Sequence, residues 1–367
     1  MARGHAANPV LFGAHMQAHP LGLVVARKCP VPGVPVIDVS ALRSGGAARD
    51  DVARQLDTAC RDLGFFYIVG HAVNEGLQGR LEALSREFFG LPDDEKAGIA
   101  MARGGRAWRG WFPVGGELTS GRPDRKEGIY FGAELGPDHP RVAAGVPLHG
   151  PNLFPTRPAG LRDAVLAYMA AMTDLGHLLA SAIARALGLG DDWFATHLTA
   201  DPTVLFRIFH YPPAGTTAAD EPPGTGASWG VAEHTDYGLL TILRQDDTGG
   251  LEVRTPTGWT TAPPIPGSFV CNLGDMLERM TGGLYRSTPH RVRARGRVGR
   301  GSFAFFFDPS WDAEVGALPL EGTPPSASSA PRWDGANVHE LTGTYGEYLL
   351  SKVAKVFPDL GGRVLDQ

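Results

Sequence analysis

Glu233-His234-Thr235-Asp236-Tyr237-Gly238-Leu239-Leu240-Thr241 sets an imidazole and a carboxylate two residues apart, at the start of an apolar run. In a strand, residues i and i+2 share a face, so His234 and Asp236 are expected to aim at one point from a β core. A His-x-Asp pair is common by itself. It gains force from His290, 54 residues beyond Asp236 and inside Tyr285-Arg286-Ser287-Thr288-Pro289-His290-Arg291-Val292. Two imidazoles and one carboxylate make the facial set preferred by non-haem iron(II), with three coordination positions left open. Ten residues past His290 comes Arg300-Gly301-Ser302, again an i, i+2 pair. The arginine fork suits bidentate capture of a carboxylate, and the serine hydroxyl adds a donor.

Outward from this stretch, residues 203 to 308 consist of short β-branched and aromatic runs separated by turn clusters, which predicts a series of strands. Before them, 158 to 189 keeps an unbroken helical period in Ala, Leu and Met, as expected of a spine helix against which a sheet packs. Nearer the N-terminus, Pro35-Val36-Ile37-Asp38-Val39 predicts a strand, Ala47 to Leu63 a helix, Phe65 to Val69 a strand, and the segment after Asn74 a helix capped by that residue. Residues 90 to 157 are rich in Gly and Pro and predict loop with occasional short strands. A last helix is expected from Val338 to Phe357. Helices followed by many short strands argue for a mainly β core buttressed by an N-terminal helical layer. The organisation expected is an arm over 1–33, a leader region over 34–157, a spine helix, core and C-terminal helix over 158–357, and a tail over 358–367.

Among 367 residues, 43% are hydrophobic and 20% charged, enough apolar material for a sizeable core. The formal net charge of −5 gives no global attraction to nucleic acid or anionic membrane. Arg291, Arg293, Arg295, Arg297 and Arg300 form the one basic cluster, and strand alternation turns the first three away from His290 and Val292. No apolar run approaches the ~18 residues of a membrane span, and the first residues lack the pattern of a secretory signal. Cys29, Cys60 and Cys271 have no paired spacing, so a disulfide framework is not expected and a reducing cytoplasm fits. Asn272-Leu273-Gly274-Asp275 reads as a turn rather than a source of ligands, and His210 faces away from Tyr211 on its strand.

The set His234-Thr235-Asp236, His290 and Arg300-Gly301-Ser302 resembles the iron(II)- and 2-oxoglutarate-dependent dioxygenases of the isopenicillin N synthase-like family. Phe206-Arg207-Ile208-Phe209-His210-Tyr211-Pro212-Pro213, Gly249-Gly250-Leu251, Arg109-Gly110-Trp111-Phe112 and Lys126-Glu127-Gly128 extend the likeness over about residues 34 to 357. The resemblance implies a distorted double-stranded β-helix, or jelly roll, with iron held by His234, Asp236 and His290. It implies 2-oxoglutarate held by Arg300 and Ser302 with a hydroxyl from Tyr211. Dioxygen would be the oxidant, succinate and carbon dioxide the co-products, and hydroxylation of a small-molecule metabolite the outcome. Two alternatives stay open: an oxidase or cyclase of the same fold that needs no 2-oxoglutarate, and a non-catalytic ligand-binding relative. Pocket walls are expected from 103 to 135, 214 to 230 and 308 to 336, with Trp108, Trp111, Tyr130, Phe131 and Trp311 as candidate lining. Neither the substrate nor the oligomeric state is legible.

Overall fold

A computed structural model describes residues 33–44, 46–213, 229–293, 298–321, 337, 342–357 and 362. The expected arm up to residue 32, most of the 214–230 loop, the tip of the hairpin before Gly299, residues 322–336, positions 338–341 and nearly all of the tail lie outside the described residues.

The strands are β1 (Val36–Asp38), β2 (Phe65–Val69), β3 (Gly110–Phe112), β4 (Leu118–Thr119), β5 (Arg122–Pro123), β6 (Glu127–Gly132) and β7 (Pro202–Tyr211). They continue as β8 (Trp229–His234), β9 (Leu240–Gln245), β10 (Leu251–Thr255), β11 (Gly258–Thr261), β12 (Phe269–Leu273), β13 (His290–Arg293) and β14 (Arg300–Ser310). The larger sheet has the order β1-β2-β12-β9-β14-β7-β6-β3 and the smaller β11-β10-β13-β8. Apart from β1 with β2, which are parallel, their pairings are antiparallel. Two such sheets facing each other make the jelly-roll core of a distorted double-stranded β-helix. Of the strands before the spine helix, β1 and β2 lie at one edge of the larger sheet and β6 and β3 at the other, so the N-terminal region extends the core, while β4 and β5 pair only with each other.

β14 is the central strand, paired with β7 on one side and β9 on the other. Its outer face is covered by the spine helix, Leu161–Ala186, which buries Leu161, Val165, Tyr168, Met172, Leu175 and Leu179. By length and composition this helix could cross a membrane, which departs from the sequence expectation. Packing explains its apolarity: the helices Ala47–Asp62 and Glu75–Phe89 lie against it, and it lies against β9 and β14. At Gly176 a Cβ would fall 2.4 Å from the Phe307 ring, so glycine sets how closely helix and sheet approach. Asn74 caps the second helix, accepting from the Leu77 N–H at 2.8 Å, as expected. The last helix runs over Tyr345–Val356, starting later than the expected Val338 because a capping box between Thr344 and Glu347 fixes its first turn. Cys60 and Cys271 are buried free thiols.

Candidate active site

His234 is the last residue of β8 and His290 the first of β13, and the two are cross-strand partners. That pairing brings positions 56 residues apart in the chain into contact, with ring centroids 4.2 Å apart. Asp236 lies beyond the end of β8, in the turn toward β9, so the i, i+2 strand geometry expected for it does not hold. Its backbone is fixed instead by the Asp275 N–H, which donates to the Asp236 carbonyl at 2.8 Å. The carboxylate still converges, with Oδ1 3.8 Å from His234 Nε2 and 3.7 Å from His290 Nε2. One donor atom from each residue lies within 4.8 Å of the others.

The surroundings turn these atoms inward. His234 Nδ1 lies 2.9 Å from the Ala232 carbonyl and His290 Nδ1 3.1 Å from the Thr288 carbonyl. A carbonyl only accepts, so each Nδ1 carries the proton and each Nε2 presents its lone pair to the centre. Asp236 Oδ2 accepts from the Thr241 hydroxyl at 2.5 Å and the Asn272 amide at 2.7 Å, leaving Oδ1 for the centre. Burial holds the His234 ring below its usual range, and His290 is pushed down to about 4 by burial and by His234 beside it. Burial would raise the Asp236 carboxyl, but the two histidines, Asn272 and Thr241 hold it below the ordinary value. Neutral imidazoles beside a carboxylate are the protonation states a divalent metal requires.

Sequence reasoning missed the roles of Asn272 and Thr241. Asn272 lies in β12 and Asp275 opens the short helix Asp275–Met280, so this stretch is strand and helix rather than the expected turn. Asp275 is not among the converging donors and accepts from the Ser287 hydroxyl at 2.8 Å. Gly238 has a steric role that its sequence setting does not announce. A Cβ there would lie 1.5 Å from Asp308 Oδ1, so only glycine lets the turn close over that carboxyl.

A cavity of about 470 Å³ opens onto the three donors and is lined by Tyr211, Arg300 and Ser302 among others. Arg300 and Ser302 alternate inward on β14 as expected, and Arg300 pairs with Tyr211 across β7, its guanidinium 4.7 Å from the ring centre. Arg300 Nε donates to the Gly249 carbonyl at 2.7 Å, which gives the Gly249-Gly250-Leu251 motif its place at the site. Among the described residues, Nη1 and Nη2 are buried without a hydrogen-bond partner. A buried fork with both outer nitrogens unused fits a carboxylate ligand, and the three convergent donors fit a metal.

The aromatic lining candidates are elsewhere. Trp108, Trp111, Tyr130, Phe131 and Trp311 are buried in the core and are not part of the cavity wall; Trp111, for instance, donates to Glu127 at 2.9 Å. Glu117 to Gly121 and Lys126 do line it, within the expected 103–135 segment. His210 lies 2.9 Å from Glu127, away from the donors. Arg291 and Arg293 pair with Glu252 and lie over Trp229, which accounts for the described part of the basic cluster.

Two family profiles match the chain: the non-haem dioxygenase in morphine synthesis N-terminal family over residues 34–157 and the 2OG-Fe(II) oxygenase superfamily over residues 202–309. A probable iron/ascorbate oxidoreductase of Dictyostelium discoideum is 47% identical over 353 residues, 90% of this chain and 97% of that protein. The chain belongs to the 2OG-Fe(II) oxygenase superfamily. It is a 2-oxoglutarate-dependent iron(II) dioxygenase by family. This oxygenase is 36% identical to a homoarginine-6-hydroxylase of Arabidopsis thaliana, across 88% of this chain and 97% of that one. Among solved structures, a full-length Neurospora crassa protein in complex with alpha-KG and thymine matches with a TM-score of 0.71 and 25% identity, covering 88% of the oxygenase and 96% of the Neurospora chain.

Proposed function

We propose that His234, Asp236 and His290 hold iron(II), that Arg300, Ser302 and Tyr211 hold 2-oxoglutarate, and that the oxygenase hydroxylates a small molecule. The observation that carries this is the pair of partnerless Arg300 nitrogens in the same cavity as the three inward-facing donors. Similarity to a homoarginine-6-hydroxylase and to the Neurospora protein with thymine bound supports hydroxylation of a small substrate.

The bound iron would supply activation of dioxygen, one oxygen atom ending in succinate as carbon dioxide leaves and the other in the hydroxylated product. The residues of the chain orient and shield. The Ala232 and Thr288 carbonyls hold both imidazoles in one tautomer, and Thr241 and Asn272 hold the carboxylate. Arg300, braced by Gly249, would receive the distal carboxylate of 2-oxoglutarate, with Ser302 and Tyr211 as hydroxyl donors. Phe65, edge-on to His290 with centroids 5.1 Å apart, and Val231, Leu243, Leu251 and Val292 keep water from that end of the cavity and strengthen the ionic contacts within it.

The test is a metabolite screen with iron(II) and 2-oxoglutarate, scored for succinate and for a product heavier by one oxygen atom. One succinate per hydroxylated product is expected. Oxidation of a substrate at full rate with 2-oxoglutarate omitted would replace this reading with the oxidase one.

A further inference from the structure

The register of β7 against β14 sets two arginines on one wall of the cavity. Arg300 pairs with Tyr211 and Arg207 pairs with Ala304, so the two positions are four residues apart along the strands, about 13 Å at ~3.3 Å per residue. The Arg300 guanidinium lies against Tyr211 and Gly249 and the Arg207 guanidinium against Tyr130 and Phe306, so the two form separate cationic ends of that wall. Arg207 therefore faces whatever shares the cavity with 2-oxoglutarate.

The acids near Arg207 have closer partners. Glu117 Oε2 lies 2.8 Å from Lys126 Nζ, and its Oε1 accepts from the Tyr130 hydroxyl. Asp308 accepts from the Tyr345 hydroxyl at 2.7 Å and from the Leu239 N–H at 2.9 Å. Arg207 keeps a long ion pair, its Nη1 3.8 Å from Glu117 Oε1 and beyond hydrogen-bond length, and among the described residues its Nε is buried with no hydrogen-bond partner. Its guanidinium is held between aromatic rings, 4.2 Å from the centre of Tyr130 and 4.9 Å from that of Phe306. This fixes the plane of the fork while leaving Nε unused. Lys352 and Lys355 line the same cavity and add positive charge. A pre-oriented cation with an unused Nε, beside a Glu117 that is ion-paired to Lys126 and an Asp308 whose carboxyl is favoured in the neutral form by burial, favours an anionic ligand over a cationic one.

Building on the assignment of Arg300 to 2-oxoglutarate, we propose that Arg207 docks a carboxylate of the primary substrate, which makes that substrate a small organic acid. The carboxylate anchors one end at Arg207 and leaves the remainder of the molecule to extend toward the His234, Asp236 and His290 end of the cavity.

The experiment is calorimetry on anaerobic protein saturated with iron(II) and 2-oxoglutarate. The probes are carboxylic acids of four to nine carbons, amino acids included, each beside its own primary amide. The charge-transfer absorbance of the 2-oxoglutarate complex, recorded first, belongs to the co-substrate assignment and separates its failure from failure of this proposal. At least one acid is expected to bind roughly 30-fold or more tightly than its amide. Arg207→Gln should erase that preference and Arg207→Lys retain part of it, with 2-oxoglutarate affinity within about threefold of wild type in both. If Arg207→Gln does not fold, the wild-type acid–amide comparison and Arg207→Lys decide. A panel in which no acid binds, in which acid and amide bind alike, or in which Arg207→Gln keeps the preference, overturns the proposal.

Discussion

The side-chain amide of Asn272 donates to Asp236 Oδ2 at 2.7 Å across 36 residues of sequence, and so leaves Oδ1 as the oxygen facing the two histidines. A hydrogen bond to a charged group is worth about 1.5–3 kcal/mol, and partners that orient a metal ligand typically govern about 10- to 100-fold in metal affinity. Asn272→Ala should weaken iron(II) binding by that range in an anaerobic titration, with turnover largely restored by excess iron. Wild-type affinity in the variant would remove Asn272 from the metal centre.

Asp236→Ala should abolish both tight iron binding and turnover, because it removes the single carboxylate among the converging donors. Full activity after chelation and iron repletion would show that the metal is held elsewhere.

Arg300→Ala should weaken 2-oxoglutarate binding by roughly 30-fold to several thousandfold, since an unpaired buried charge costs about 2–5 kcal/mol. Ser302→Ala and Tyr211→Phe each lose one hydrogen bond to a charged group, about 1.5–3 kcal/mol. Arg300 should therefore have the largest effect, with iron affinity little changed in all three. Titrations followed through the charge-transfer absorbance would show the order; equal effects, or a fall in iron affinity, would contradict it.

Asp308 supplies a pH signature. Its carboxyl is pushed up to about 7 by burial, which outweighs the hydrogen bonds from Tyr345 and Leu239. Between about pH 4 and 7 the native carboxyl is protonated while the unfolded one is ionised, so stability falls as pH rises through that window and is level above it. The slope from this one group is up to roughly 1.4 kcal/mol per pH unit. In chelator-treated protein, the unfolding free energy of the wild type relative to Asp308→Asn should fall from pH 4 to 7. A difference that does not vary with pH would mean that the carboxyl ionises normally.

Much of the local structure was legible. Phe65–Val69 and Ala47–Asp62 lie within a residue of where a β-rich apolar run and a helical period put them, because the strand is buried on both faces and the helix on one, and each kind of burial leaves its own pattern in the chain. Aromatic content was a poor guide to the cavity: Trp108, Trp111 and Phe131 look the same in sequence whether they fill a core or line a pocket. Arg207 carried no local sign of its position either, since its long 3.8 Å ion pair with Glu117 is set by the closer contacts that Lys126 and Tyr130 make with that carboxylate.

The sequence by itself determined which donors exist and in what order: two histidines and an aspartate, then Arg300 and Ser302 two residues apart on a strand. Side-chain chemistry and the two-residue repeat are properties of the chain alone. Tertiary structure decided that His234 pairs with His290, that Asn272 and Thr241 select one oxygen of Asp236, and that Arg207 stands opposite Ala304, four residues along from Arg300. Those facts follow from the register between strands, which packing of the whole core sets and no window of sequence contains.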